Sequence, residues 1–198
     1  MKVAIILKAP SLSVEVTERN VIYADAAYKF KNQIGNKNVI AVVGDFDSLK
    51  VAPENENIVP LNVEKDFTDG ERAIRYAKEV GAEKVVVYGA YGGKTEHVLG
   101  NIALLKIAKN LGLNTVIKDE NGYTELIDGK WQKQLETGSS LSLIPYGGSC
   151  SFLSSKGLYY PLNGLTLTPA DTRGISNVVN EQNVEIEISN GESLVFYK

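Results

Sequence analysis

Two patterns of apolar and polar positions follow one another along the chain. In the first part, short apolar runs such as residues 3–7 are typical of buried strands. Stretches with helical spacing come between several of these runs, for example Val98, Ile102 and Leu105. Strands that alternate with helices predict a mostly parallel sheet flanked by helices, which is an α/β fold.

The predicted strands of this first part cover residues 3–7, 20–25, 39–43, 58–63, 84–88 and 115–118. Pro60 weakens the fourth of them. A helix is predicted over residues 26–34. A second helix is predicted from the capping-box spacing of Thr68 and Glu71, and a third begins near Thr95 or Glu96.

The pattern changes in the last third of the chain, where no long helical period occurs. Short alternating runs take its place, at residues 140–144, 149–153, 157–161, 165–168, 184–188 and 194–197. Turn signals such as Gly147-Gly148 and Asn190-Gly191 separate them. We predict a C-terminal antiparallel β-sandwich or barrel. With a boundary near Gly129, the domains are residues 1–128 and 129–198.

Acidic residues follow the predicted strands of the α/β part. In a parallel sheet, ligands bind outside the carboxyl ends of the strands. Like charges at one rim repel, so a bound divalent cation or a cationic substrate would stabilise them. Mg²⁺ favours one or two carboxylates together with substrate phosphates. Taken singly, each acid also fits a solvated turn or a capped helix start. The six acids are Asp25, Asp45, Asp47, Asp66, Asp69 and Glu96.

A glycine-rich loop covers residues 89–95. It is similar to a Walker loop, but only three residues separate Gly89 from Gly93, where that motif has four. Glycines, helix N-terminal amides and Lys94 suit an anion, although a plain strand-to-helix turn fits the same residues. His97 is the single histidine, and either helix packing or proton transfer would explain it.

Composition narrows the class of protein. The chain has 198 residues, 43% hydrophobic and 23% charged, and a formal net charge of -3. Binding to nucleic acid or to a membrane is therefore not expected. The lone Cys150 gives no internal disulfide. The first apolar run is too short for a signal peptide, so we expect a cytoplasmic protein.

Three motifs, in this order and spacing, resemble those of the thiamine pyrophosphokinase family. They are Gly44-Asp45-Phe46-Asp47-Ser48, Lys65-Asp66-Phe67-Thr68-Asp69 and Gly92-Gly93-Lys94-Thr95-Glu96-His97. Gly174-Ile175-Ser176-Asn177 is similar to a segment of the family's C-terminal β domain. The resemblance implies transfer of a pyrophosphoryl group from ATP to the hydroxyl of thiamine, with Mg²⁺, to give thiamine diphosphate and AMP.

The same resemblance assigns roles to residues. The catalytic residues and metal ligands would be Asp45, Asp47, Asp66 and Asp69. ATP would be contacted by Asp25, Ser48, Lys65, Thr68, Gly92, Gly93, Lys94, Glu96, His97 and Asn101. Asp47, Glu96 and His97 remain alternative proton acceptors. Thiamine would be contacted by Ser176, Asn177 and Phe196, although Phe196 fits a core aromatic equally well.

Members of this family are dimers in which thiamine lies between the α/β domain of one subunit and the β domain of the other. A homodimer is therefore expected. The sequence departs from the family pattern at Lys94 (usually Arg), at Glu96 (usually Asp) and at Ala26-Ala27 (usually Gly-Gly). Two alternatives stay open. Asp45 and Asp47 alone would also fit a metal-dependent glycosyltransferase that uses a sugar nucleotide, and the departures would fit a non-catalytic thiamine or nucleotide sensor.

Overall fold

The chain folds into two units, which form an α/β part and an all-β part as predicted. The computed structural model describes residues 1–45, 56–60 and 67–198. The first unit is Met1–Glu120 and the second is Asn121–Lys198. This division comes one strand earlier than the boundary predicted near Gly129, because residues 122–127 pair with the last strand of the β unit.

A parallel sheet forms the α/β unit. Its strands are β1 (Lys2–Ile6), β2 (Asn20–Ala24), β3 (Asn38–Gly44), β4 (Ile58–Pro60), β5 (Lys84–Tyr88) and β6 (Asn114–Asp119). Their order is β6-β5-β1-β2-β3-β4, and every neighbouring pair is parallel. Because all the strands point the same way, their carboxyl ends share one edge of the sheet.

The core of this unit lies on both faces of the central strands. Ile5 and Ile6 of β1, Ile22 of β2 and Val87 of β5 have no exposed surface. Burial of one such side chain contributes about 1.5–3 kcal/mol to folding. Strands buried on both faces read as continuous apolar runs, and this explains why the sequence predicted them without alternation.

Helices of the α/β unit are α1 (Lys31–Ile34), α2 (Asp69–Glu79) and α3 (Thr95–Asn110). Residues Asp25–Phe30 form a 3₁₀ helix that leads directly into α1, so the helix predicted over residues 26–34 is present, although its first part is 3₁₀ and not α. The backbone of Asp25 has φ +46°, and no side chain caps this start. Within residues 1–45, 56–60 and 67–198, no helix has both the length and the apolar character needed to cross a membrane.

The β unit is antiparallel. Its strands are β7 (Gly122–Ile127), β8 (Lys130–Gln134), β9 (Ser140–Lys156), β10 (Thr166–Leu167), β11 (Asn177–Val178) and β12 (Asn183–Tyr197). The order is β10-β9-β12-β7, with β11 on β9 and β8 on β12. Leu141, Leu143, Phe152 and Val195 belong to its buried core.

Two predicted interruptions of the β unit are wrong. Gly147-Gly148 lies inside β9, and Asn190-Gly191 lies inside β12, so four predicted strands merge into two long ones. These two strands pair along their length, with register shifts near Asn190. Gly191 has φ +85°, and a Cβ there would lie 2.2 Å from the Ser149 carbonyl oxygen. Glycine therefore serves a β-bulge here and not a turn.

Candidate active site

Asp25 is a buried polar residue of the α/β unit with an unusual backbone conformation. It follows β2 directly, is 5% exposed and has φ +46°. Its Oδ1 atom is buried and has no hydrogen-bond partner among the residues that the structure describes. Gly44 at the end of β3 makes room for it, since a Cβ on Gly44 would lie 3.0 Å from the Asp25 Cβ. A buried carboxylate oxygen without a donor costs free energy unless a ligand completes it.

The start of α2 supplies a second group of polar atoms. The Glu71 N–H donates to Thr68 Oγ1 at 3.2 Å, which confirms Thr68 as the N-cap. The Glu71 carboxylate turns away and accepts from Arg75. Asp69 is the first residue of the helix, where the helix dipole favours a negative charge. Gly70 lets this end approach β1 and α3, because a Cβ there would lie 3.1 Å from Leu104 and 3.3 Å from Leu7.

The loop between β5 and α3 forms a third edge. Gly89 has φ +71°, and a Cβ there would lie 2.5 Å from the Leu7 carbonyl oxygen, so this position requires glycine. Lys94 is the N-cap residue of α3, which confirms the predicted helix start. Asn101 Nδ2 donates to the Ala90 carbonyl at 2.9 Å and holds the loop against the helix.

These three regions border a cleft of about 670 Å³, which we call the acidic cleft. Four of the six acids predicted for the rim line it: Asp25, Asp45, Asp69 and Glu96. Thr68, His97 and Asn101 line it as well. The cleft thus brings together the residues that directly follow β2 and β3 with residues from the starts of α2 and α3.

A second cleft, of about 400 Å³, lies next to it and shares Lys8, His97 and Asn101 with it. We call this the lysine cleft, because Lys8, Lys29 and Lys94 all line it. Gly93 of the glycine-rich loop also lines it. Gly92 lies at the same loop with φ +84°, and a Cβ there would lie 3.6 Å from Pro10.

Ser176, Asn177 and Phe196 lie in the β unit, where the structure groups them around β9. The Ser176 N–H donates to Ser142 Oγ at 2.9 Å. Ser142 is the cross-strand partner of Phe196, so these two side chains share one face of the sheet. Phe196 is partly buried, and its neighbours Val195 and Tyr197 belong to the core on the other face.

Asn177 is 5% exposed and already bonded. Its Oδ1 accepts from the N–H groups of Tyr160 (3.1 Å) and Val178 (2.8 Å), and its Nδ2 donates to the Tyr160 carbonyl at 2.7 Å. Asn177 therefore fixes the backbone beside Ser176. Its contact with thiamine stays a prediction.

Family models match both units. Residues 16–117 match the model described as thiamin pyrophosphokinase, catalytic domain, and residues 130–193 match thiamin pyrophosphokinase, vitamin B1 binding domain. The chain belongs to the thiamin pyrophosphokinase family. Because this family consists of transferases that serve thiamine diphosphate biosynthesis, the chain is an enzyme of the thiamine diphosphokinase class.

Individual relatives agree with this family. The chain is 29% identical to thiamine pyrophosphokinase of Bacillus subtilis (strain 168) over 146 residues, which are 70% of this chain and 68% of that protein. It is 25% identical to thiamine pyrophosphokinase 1 of Oryza sativa subsp. japonica over 163 residues, 73% of this chain and 61% of the rice protein. The crystal structure of the Bacillus subtilis thiamine pyrophosphokinase has a TM-score of 0.88 at 21% identity. It covers 100% of this chain and 99% of that one, which shows a shared fold.

The donors of the acidic cleft suit a divalent cation in this thiamin pyrophosphokinase family member. Carboxylate oxygens are the ligands that Mg²⁺ prefers, and the buried Oδ1 of Asp25 has no other described partner. Within residues 1–45, 56–60 and 67–198, no three His, Cys, Asp or Glu side chains are close enough to form a metal cluster. Mg²⁺ needs only one or two carboxylates when phosphate oxygens and water supply the rest.

Four predicted site residues of this family member lie outside the described residues: Asp47, Ser48, Lys65 and Asp66. Sequence reasoning missed Lys8 and Lys29, which line the lysine cleft. Lys8 comes soon after β1, so the strand-end rule that selected the acids could have selected it too. Lys29 carries no such signal, because it lies in the last turn of the 3₁₀ helix and not directly after a strand.

Proposed function

We propose that this chain transfers the pyrophosphoryl group of ATP to the hydroxyl group of thiamine, which yields thiamine diphosphate and AMP. One observation carries the proposal. The acidic cleft, with its buried Asp25 oxygen, adjoins the glycine-lysine loop at the start of α3 in a member of this family. Carboxylates for a cation and amides for an anion thus lie side by side, as a metal-bound polyphosphate requires.

Asp25, Asp45 and Asp69 are the described residues that would hold Mg²⁺, together with Asp47 and Asp66 of the sequence motifs. When bound, the ion would neutralise charge on the phosphate oxygens. The protein's own part is to position the polyphosphate and to exclude water. Thr68, Gly93 and Lys94 would contact the nucleotide at the two helix starts.

The reacting hydroxyl must lose a proton as its oxygen attacks the β-phosphorus. Glu96 and His97 both line the acidic cleft from the first turn of α3. Either could accept that proton, as could Asp47. A pH–rate profile of Glu96→Gln and His97→Asn would decide between the two described candidates. The acidic limb of the profile, where the rate falls as the proton acceptor becomes protonated, disappears only in the variant that has lost that acceptor.

For thiamine we propose contacts with Ser176 and Phe196, with Asn177 beside them. Ser176 is exposed and has φ +61°, a strained conformation for a residue that is not glycine. Strain of this kind is often retained at ligand sites. Its hydroxyl is a candidate hydrogen-bond partner for thiamine, and the Phe196 ring is a candidate stacking surface.

We further propose that the active enzyme is a homodimer in which each thiamine site takes its β-unit residues from the other copy. Tyr159, Tyr160 and Ile175 support this, since they are 63%, 59% and 50% exposed on the β unit. Ile175 adjoins Ser176 in the sequence. Exposed apolar side chains grouped near a ligand residue are typical of an interface.

The decisive experiment is incubation of the purified protein with ATP, MgCl₂ and thiamine, followed by mass spectrometry. We expect equal amounts of thiamine diphosphate and AMP. Formation of thiamine monophosphate and ADP would contradict pyrophosphoryl transfer. A protein that binds thiamine but releases no AMP would support the sensor alternative. Turnover of a UDP-sugar in place of ATP would support the glycosyltransferase alternative.

The shared site can be tested by mixing two damaged variants, Asp45→Asn and Ser176→Ala, at a low thiamine concentration. A mixed dimer contains one intact site only if the two residues act in the same site but come from different copies. We therefore expect the mixture to exceed both parents in activity. A mixture no more active than the average of its parents would place both residues of a site in one copy.

A further inference from the structure

We propose that the lysine cleft binds the α-phosphate of the nucleotide, and that Lys8 and Lys29 hold it together with Lys94. The inference rests on the proposed use of ATP, and it adds two residues to that site. Neither Lys8 nor Lys29 belongs to the three sequence motifs. Both lie on the α/β unit, one after β1 and one in the 3₁₀ helix.

Charge is the first argument. Three lysines line a cleft of about 400 Å³, and no Asp or Glu is among its described lining residues, although Lys8 also lines the acidic cleft. Like charges around so small a space repel one another, and a bound anion turns that repulsion into attraction. Lysines act as separate point charges on flexible stems, so several of them can surround one phosphate without the planar geometry of an arginine.

Lys29 is already positioned for this role. Its Nζ donates to the Ala9 carbonyl at 2.9 Å and lies 4.6 Å from the centre of the Phe30 ring. An ammonium group has three donors, and the carbonyl uses one of them. A side chain fixed in this way loses less conformational entropy when it also donates to a phosphate oxygen.

The start of α3 adds backbone donors to the lining of the cleft. Lys94 is the N-cap residue of the 16-residue helix α3, whose first N–H groups and dipole favour an anion. At Gly93 a Cβ would meet none of the described atoms within 4 Å, so the approach to the backbone is open there. The lysines and the helix start thus act on the same space.

The lysine cleft is continuous with the acidic cleft, and this indicates which phosphate of ATP it would bind. The two clefts share Lys8, His97 and Asn101, so one polyphosphate can span both. A metal ion held by the carboxylates of the acidic cleft would neutralise the β- and γ-phosphates, so we assign those two groups to that cleft. The α-phosphate is then the part of ATP that falls to the lysine cleft.

The chemistry of the step gives the lysines a function. The thiamine oxygen forms a bond to the β-phosphorus and gives up its proton, and the bond from that phosphorus to the oxygen of the α-phosphate breaks. The electron pair of the broken bond stays on AMP, so negative charge increases on the α-phosphate. Lys8, Lys29 and Lys94 would stabilise this charge where it develops.

Lys8→Met and Lys29→Met test the inference, because each removes a charge and keeps most of the length of the side chain. Titration calorimetry measures the affinities for AMP and for adenosine, and their difference gives the contribution of the phosphate group to binding. We expect each variant to bind AMP about tenfold or more weakly than the wild type and to bind adenosine unchanged. Lys29→Arg should restore most of the AMP affinity.

Lys37→Met is the matched control. Lys37 Nζ donates to the Val16 carbonyl at 2.7 Å, so it also holds the connection between β1 and β2, but it lines neither cleft. Its replacement removes the same charge and a similar hydrogen bond. We expect the ratio of AMP to adenosine affinity to stay at the wild-type value.

Several results would overturn the inference. An equal loss of AMP and adenosine affinity would mean that the lysines only shape the loop. Loss of pyrophosphate affinity with AMP unchanged would place the β- and γ-phosphates in the lysine cleft. A wild type that binds AMP no better than adenosine would also contradict it.

A wild type that makes no thiamine diphosphate from ATP rejects the proposed function. Normal AMP binding in both variants of an active enzyme rejects this inference alone.

Discussion

Asp25 of the α/β unit and Asn177 of the β unit are equally buried, each 5% exposed, yet their polar atoms are used differently. The Oδ1 of Asp25 has no hydrogen-bond partner among the described residues. The amide of Asn177 makes three hydrogen bonds to the backbone of Tyr160 and Val178. An unsatisfied buried group costs about 1–3 kcal/mol, so it persists where a ligand completes it. A buried polar group whose hydrogen bonds are all made, such as the Asn177 amide, stabilises the backbone around it.

Backbone strain follows a related division. Of the described residues other than glycine, only Asp25 and Ser176 have positive φ, +46° and +61°. Both were predicted from the sequence to contact substrates. Such conformations cost on the order of 1–3 kcal/mol and are maintained by surrounding structure. In each unit, therefore, one strained residue is held by its neighbours: Gly44 makes room for Asp25, and Ser142 accepts from the N–H of Ser176.

The largest effect should come from Asp25→Asn. Loss of the negative charge should lower turnover by a factor of about a hundred to a thousand, because the carboxylate would no longer stabilise the cation and the polyphosphate. The free energy of unfolding should stay the same or rise, since the substitution removes a buried charge whose Oδ1 has no partner among the described residues. Steady-state kinetics and urea denaturation measure the two. A large loss of stability with normal turnover would contradict this prediction, because Asp25 would then stabilise the fold, as Asn177 does, and would not serve a ligand.

Asn177→Ala should have the opposite profile. It leaves the backbone groups of Tyr160 and Val178 without their partners, so we expect a loss of roughly 2–3 kcal/mol in the free energy of unfolding. The KM for ATP should not change. Urea denaturation and kinetics at saturating thiamine provide the measurements. Unchanged stability would mean that water replaces the amide, and that Asn177 does not stabilise the backbone of Tyr160 and Val178.

Gly44→Ala should have a smaller effect that reaches Asp25 indirectly. The new methyl group would lie 3.0 Å from the Asp25 Cβ, so the carboxylate must shift. We expect turnover to fall by about tenfold, because small displacements of a positioned group are costly. Gly148→Ala in β9 is the control, since a Cβ there meets none of the described atoms within 4 Å. Equal activity in the two variants would contradict the coupling.

Ser176→Ala should act on thiamine alone. Loss of one hydroxyl hydrogen bond should raise the KM for thiamine by roughly three- to tenfold and leave the KM for ATP unchanged. Ser176→Gly removes the same hydroxyl and also relieves the positive φ, so its thermal stability should exceed that of the alanine variant. A change in the KM for ATP alone would place Ser176 outside the thiamine site.

The last prediction concerns stability at alkaline pH, outside the range in which the enzyme would be assayed. Burial raises the pKa of the Cys150 thiol to about 11 and the pKa of Tyr23 to about 12. In the unfolded chain both groups ionise earlier, near their ordinary values of 9.0 and 10.0. For each group, the folded state binds more protons than the unfolded state at any pH between its ordinary pKa and its raised pKa. The free energy of unfolding should therefore fall as pH rises above about 9. Urea denaturation from pH 8 to 11 should detect this, and Cys150→Ala should reduce the slope.

Sequence patterns predicted the α/β unit better than the β unit, for a physical reason. Parallel strands that are buried on both faces appear in the sequence as apolar runs, and polar residues mark their ends. The start of α2 is also visible in the sequence, because Thr68 caps the helix through a hydrogen bond with the nearby Glu71. In the β unit, Gly147 and Asn190 look like turn residues, yet they lie within β9 and β12. Pairing between two distant strands decides whether a glycine forms a bulge or a turn, and no local window contains both strands.

The candidate site divides in the same way. The motifs around Asp45, Asp69 and Lys94 were readable because residue type, spacing and strand ends are local properties. The lysine cleft was not, since Lys8, Lys29 and Lys94 come from separate segments that only the folded sheet brings together. The sequence by itself thus determined the family, the two units and most of the rim. Only the tertiary structure decided that an oxygen of Asp25 is buried without a partner among the described residues and that the amide of Asn177 is already bonded, because both depend on long-range packing around one side chain.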